Sequence, residues 1–106
     1  MILFKSEYIE SILNGTKTQT RRAGKKRWNV GSVHQCQTQL FKNNSVFAKV
    51  EILDVYEERL GDISESDAQI EGGYDRNTFA AVWARINGRY EPNLQVWVVK
   101  FKVVTE

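Results

Sequence analysis

The sequence predicts an α+β fold in which short antiparallel or mixed strands curl into a small β-barrel with two or three helices at one end. Three observations carry this expectation. The chain has 106 residues, 42% hydrophobic and 26% charged, which suits one packed domain over residues 1–106 and no second one. Its hydrophobic periodicity alternates between helical and extended spacing, in the order helix, strand, paired strands, two helices, strand. The connections are mostly short, and no repeat, linker or low-complexity stretch interrupts them.

Each element has a local reason. Ser6 is placed to cap a first helix over Glu7 to Asn14, in which Ile9, Ile12 and Leu13 share a face and Gly15 ends the turn. Thr18 to Arg22 is β-prone but polar, which suits a strand beside a surface cleft, and the basic loop Ala23 to Arg27 follows. Trp28 to Ser32 leads into a strand from Val33 to Phe41. Lys42-Asn43-Asn44-Ser45 then turns the chain, because Asn tolerates positive φ. From Val46 to about Tyr56 apolar and polar residues alternate, the pattern of a half-buried strand pairing back as a hairpin. Ser64 and Asp67 have capping-box spacing and open a short helix that Gly72-Gly73 stops. Asp75 caps another helix, in which Phe79, Val82, Trp83 and Ile86 form an apolar stripe assigned to the core and not to a ligand box. The last strand, Leu94 to Val104, puts Trp97, Val99, Phe101 and Val103 on one face.

Composition narrows the chemistry. One cysteine, Cys36, excludes an internal disulfide, and with one histidine, His34, too few soft ligands remain for a protein-built zinc site. His34 and Cys36 share a strand face and are read as ordinary strand residues. No metal and no cofactor is expected. No apolar run approaches bilayer length and the first residues do not form a signal peptide, so a soluble cytoplasmic protein is expected, monomeric or weakly dimeric. The net charge of +2 hides an asymmetry. Ser11 to Val50 holds eight Lys or Arg and no acid, and six of the eight fall between Lys17 and Arg27. Such a cluster attracts polyanions.

The segment Ile12-Leu13-Asn14-Gly15-Thr16-Lys17-Thr18-Gln19-Thr20-Arg21-Arg22 resembles the signature of the ASCH family, a branch of the PUA-like superfamily. There, too, a helix ends in Gly and a Lys-Thr-x-Thr-x-Arg stretch follows. Trp28-x-Val30-Gly31, Asp67-Ala68-x-x-Glu71-Gly72, Phe79-x-x-x-Trp83 and Val96-Trp97-Val98-Val99-Lys100-Phe101 extend the resemblance over nearly the whole chain. It implies a PUA-like β-barrel with a cleft for RNA or a nucleoside-like ligand. Some small members of the family remove the acetyl group of N4-acetylcytidine without a metal. Their catalytic Lys, Thr and Glu fall here on Lys17, Thr20 and Glu71. Other relatives are RNA-binding modules or ribonucleases.

Amide hydrolysis needs a nucleophile, a base and a proton donor for the leaving amine. A free lysine is protonated at neutral pH. Lys17 is therefore a base only where burial or neighbouring cations lower its pKa, and otherwise an oxyanion stabiliser; Glu71 nearby opposes the lowering. On a regular strand Thr18, Thr20 and Arg22 face one way and Gln19 and Arg21 the other, so Lys17 meets Thr20 only from a loop just after Gly15. Two functions follow. The first is RNA or nucleotide binding in a basic cleft, with Arg21, Arg22, Lys25, Lys26 and Arg27 on phosphates and Trp28 beside them to stack on a base. The alternative is the metal-independent amidohydrolase, or a ribonuclease using the same lysine. The run Arg21 to Arg27 is more basic than a nucleoside requires, which favours a polymeric anion.

Overall fold

The computed structural model describes residues 1–105. Five strands form one sheet in the order β1-β3-β4-β5-β2: β1 Ile2–Leu3, β2 Gln19–Arg22, β3 Val33–Gln37, β4 Val46–Arg59 and β5 Gln95–Val103. All neighbours are antiparallel except β1 and β3. The sheet curls into a half-barrel whose free edges are β1 and β2. The side chain of Arg22 spans the gap, its Nη2 donating to the Leu3 carbonyl at 2.6 Å. Three helices complete the mixed architecture: α1 Ile9–Leu13, α2 Glu65–Gly72 and α3 Arg76–Asn87.

The helix ends obey the capping logic at α2 and α3. Ser64 Oγ accepts from the Asp67 amide at 3.0 Å, and Asp75 Oδ1 accepts from the Thr78 amide at 2.7 Å. Gly73 and Gly88 close these helices at φ 77° and 92°, where a side chain would be strained. The start of α1 departs from expectation. Ser6 makes no cap, because residues Ser6–Tyr8 form a 3₁₀ turn that leads into a shorter helix. Gly15 ends that helix at φ 82°, and the Thr16 and Lys17 amides both return to the Ser11 carbonyl.

Two strand limits also differ. β3 stops at Gln37, where the register with β4 shifts. Gln37 Nε2 then donates to the carbonyls of Gln39 and Lys42, folding residues 38–42 into a turn. Phe41, in that turn, has φ 60° and is 90% exposed. β4 runs three residues past Tyr56, because β5 pairs with it as far as Arg59 opposite Gln95. β1 is only two residues long and has no periodicity to detect.

Two apolar clusters hold the fold. Inside the half-barrel Ile2, Phe4, Ile12, Val50, Ile52, Val99 and Phe101 pack together, with Trp97 and Val103 against them. Beneath α2 and α3, Leu60, Ile63, Ala68, Phe79, Trp83 and Val96 form the other. β5 is thus buried on both faces, as its central position demands. Burying a side chain such as Phe101 stabilises by about 1.5–3 kcal/mol.

Candidate functional site

A cavity of about 330 Å³ opens between the β1 and β2 edges and beneath α3. Lys17, Thr20, Arg21, Arg22 and Glu71 lie on its wall, so residues from two separate parts of the chain meet there. The volume is at the low end for small-molecule sites.

Lys17 reaches the cavity from the tight turn after Gly15, before β2 begins, and is only 4% exposed. Its Nζ donates to the backbone carbonyls of Gln19, at 3.0 Å, and of Glu71. Glu71 Oε1 lies 4.0 Å away, and the Tyr8 ring centroid 4.7 Å. Burial pulls the Lys17 pKa down to about 8. Glu71 works against this, while the charges of Arg22 and Arg21 assist. About a tenth of Lys17 is then neutral at pH 7 and half at pH 8. A neutral amine has two N–H donors and one lone pair; the two carbonyls accept both donors and leave the lone pair free.

Arg21 and Arg22 have opposite surroundings, as strand alternation requires. Arg21 is buried among three carboxylates: Nη1 donates to Glu71 Oε2 at 2.8 Å, and Nη2 to Glu58 at 2.7 Å and Asp67 at 3.1 Å. Burial alone would lower its pKa, but these carboxylates outweigh it and hold the pKa above the ordinary arginine value. Its Nε is buried without a partner among the described residues. Gln19 Nε2 also donates to Glu71 Oε2, at 3.2 Å, so the Glu71 carboxylate is held from two sides. Arg22 has no carboxylate partner among the described residues. Its Nε donates to Thr20 Oγ1 at 3.1 Å, and its guanidinium lies 5.0 Å from the Phe4 ring centroid and 5.8 Å from that of Trp28. Burial lowers its pKa.

The other residues singled out in the sequence lie off this wall. Trp28 is buried in the half-barrel core, its Nε1 donating to the Met1 carbonyl at 3.3 Å. Lys25, Lys26 and Arg27 are exposed in the loop after β2. Trp97 Nε1 pins that loop by donating to the Gly24 carbonyl at 3.1 Å. The stripe on α3 does two jobs, which corrects its assignment to the core alone. Phe79 and Trp83 are buried, and all four stripe residues line the cavity.

Sequence reasoning missed Tyr8 and Tyr74, whose hydroxyls meet across the cavity at 2.7 Å. Nothing in the sequence links them. The Arg21 cluster did leave a signal: Asp67 and Glu71 are four apart and share one face of α2. The seat of Tyr74 depends on Gly72, where an added Cβ would lie 2.4 Å from the Tyr74 ring. Gly72→Ala is therefore expected to destabilise the protein by about 1–3 kcal/mol in urea denaturation. In a Tyr74→Ala background the same substitution should cost less than half as much; an equal cost would show that the ring is not the obstacle.

Among the described residues no three His, Cys, Asp or Glu side chains are grouped so as to hold a metal ion, and no helix is long and apolar enough to cross a membrane. No curated protein matches the chain in sequence. Solved structures share its fold, three of them as follows. The ASCH domain of Lactobacillus crispatus JV V101 superimposes with a TM-score of 0.64 at 18% identity, over 97% of this chain and 77% of that one. Protein EF3133 of Enterococcus faecalis V583 does so with a TM-score of 0.71 at 17% identity, over 96% and 74%. The hypothetical protein PH0355 gives 0.70 at 16% identity, over 97% and 96%. At these identities the likeness shows the fold alone. The ASCH domain family model matches residues 1–105, which takes in the Lys-Thr-x-Thr-x-Arg segment, the α2 carboxylates and the closing strand, and the chain belongs to that family.

Proposed function

We propose that this ASCH domain binds one nucleoside unit, of a nucleotide or of an RNA strand, in the cavity beside Lys17. One observation carries the reading: a cavity of about 330 Å³ combines the aromatic side chains Tyr8, Tyr74, Phe79 and Trp83 with the polar groups of Lys17, Thr20 and Glu71. Flat apolar walls suit a base, and a few converging donors and acceptors suit its polar edge. The family is one proposed to bind RNA, which agrees. The exposed Lys25, Lys26 and Arg27 would add a salt-sensitive attraction for flanking phosphates.

Titration with a short unstructured RNA, followed by tryptophan fluorescence, tests this. Saturable quenching is expected in the wild type, and Trp83→Phe should remove most of the signal. Affinity should fall as salt rises. No saturable binding of RNA or any mononucleotide at millimolar concentration would overturn the reading.

The state of Lys17 favours a second reading, hydrolysis of an acyl amide such as N4-acetylcytidine. Water and the amide would give cytidine and acetate. The neutral Lys17 amine would take the proton of the attacking oxygen, directly or through the Thr20 hydroxyl, and return it to the leaving nitrogen. Glu71 would hold the amine in place. Incubation with N4-acetylcytidine should release cytidine with wild type and not with Lys17→Ala. Absence of release from the wild type would leave binding as the function.

A further inference from the structure

The binding reading leaves open whether the occupant carries charge. Arg22 bears on that question. Of its five N–H hydrogens, one goes to Thr20 Oγ1 and one to the Leu3 carbonyl, and the remaining three have no acceptor among the described residues. Its guanidinium lies against the Phe4 and Trp28 rings and forms no ion pair among the described residues, although the Glu71 carboxylate still acts on its charge from a distance. A cation so placed on a cavity wall is costly unless an anion joins it. Arg21 cannot serve the same purpose, because Glu58, Asp67 and Glu71 already neutralise it.

Two further groups line the same cavity. The Phe4 amide donates to the Gln37 carbonyl at 2.9 Å, which sets Lys5 and Thr38 side by side on the rim. Lys5 is exposed and forms no ion pair, and the Thr38 hydroxyl has no partner among the described residues. Glu71, the carboxylate on the cavity wall, is engaged by Arg21 and Gln19 and lies 4.0 Å from Lys17 Nζ. The cavity wall thus carries a guanidinium fork, an ammonium and a hydroxyl beside the Lys17 and Glu71 pair.

We infer that Arg22, Lys5 and Thr38 form a phosphate subsite, so that the cavity takes a phosphorylated nucleoside and not a free one. This rests on the binding reading above. The planar fork of Arg22 suits two phosphate oxygens, with Lys5 as a point charge at the rim. The shared chemistry is a phosphate on a nucleoside, whether a terminal monoester or the diester of a strand.

Isothermal titration of the intact chain with cytidine, 5′-CMP, 3′-CMP and the dinucleotide CpC decides the matter. At least one phosphorylated probe is expected to bind about tenfold or more tightly than cytidine, the scale of a charge-assisted contact. A preference for a monophosphate identifies a mononucleotide, and tightest binding of CpC identifies a strand. Lys5→Gln, at an exposed position, should reduce the preference several-fold, and Arg22→Gln should remove it. Cytidine binding as tightly as every phosphorylated probe overturns the subsite and leaves the nucleoside reading intact. No binding of any of the four overturns both.

Discussion

Replacing Arg21 with methionine is expected to lower stability by about 3–5 kcal/mol, the cost of removing one partner from a buried ionic cluster. The guanidinium has no exposed surface in its side chain and contacts Glu58, Asp67 and Glu71. Methionine fills similar space but leaves three carboxylates facing one another beneath α2. The cluster links β2, β4 and α2, so its failure also releases the helix that carries Glu71. Urea denaturation at pH 7 measures the effect. A loss below about 1 kcal/mol, within the range of exposed ion pairs, would show that the cluster is only incidental.

Lys17 should leave a mark on the pH dependence of stability. Its pKa is about 8 in the folded protein against 10.5 when unfolded. Between these values the unfolded chain binds more protons, so stability rises with pH through this window. Below about pH 7 the penalty of burying the charged amine is present in full, about 3 kcal/mol; some 1 kcal/mol of it is relieved between pH 7 and 9. Cys36, which burial pushes up to about 11, and Tyr8, which burial and its bond to Tyr74 also push up, act in the opposite sense above about pH 9. The informative comparison is thus wild type against Lys17→Met from pH 7 to 9. The wild type should gain about 1 kcal/mol relative to the variant. Parallel curves would mean that Lys17 keeps an ordinary pKa and cannot serve as a base near neutrality.

Much of this arrangement was legible before folding was considered. Caps at Ser64 and Asp75 and stops at Gly73 and Gly88 are local chemistry, and local chemistry is written in adjacent residues. The same holds for the arrival of Lys17 from the turn after Gly15, since strand alternation leaves no other route to Thr20. What could not be read depends on long-range pairing. β1 is held by β3, β4 extends because β5 continues beside it, and Tyr8 finds Tyr74 across 66 positions. The basic run shows the same limit. Six cations within eleven residues look alike in sequence, yet β2 buries Arg21 among acids, points Arg22 at the cavity and leaves Lys25 to Arg27 in solvent. Alternation separates the two arginines; only the fold supplies the acids.

All of these roles require the ligand to sit in the cavity. The most direct measurement is titration of isotope-labelled protein with 5′-CMP, followed by amide and aromatic NMR shifts. The predicted result is saturable change at Thr20, Arg22, Thr38, Tyr74 and Trp83, with intermolecular contacts from Tyr74 or Trp83 to the base. Changes confined to Lys25, Lys26 and Arg27, with those five residues unmoved at saturation, would contradict it.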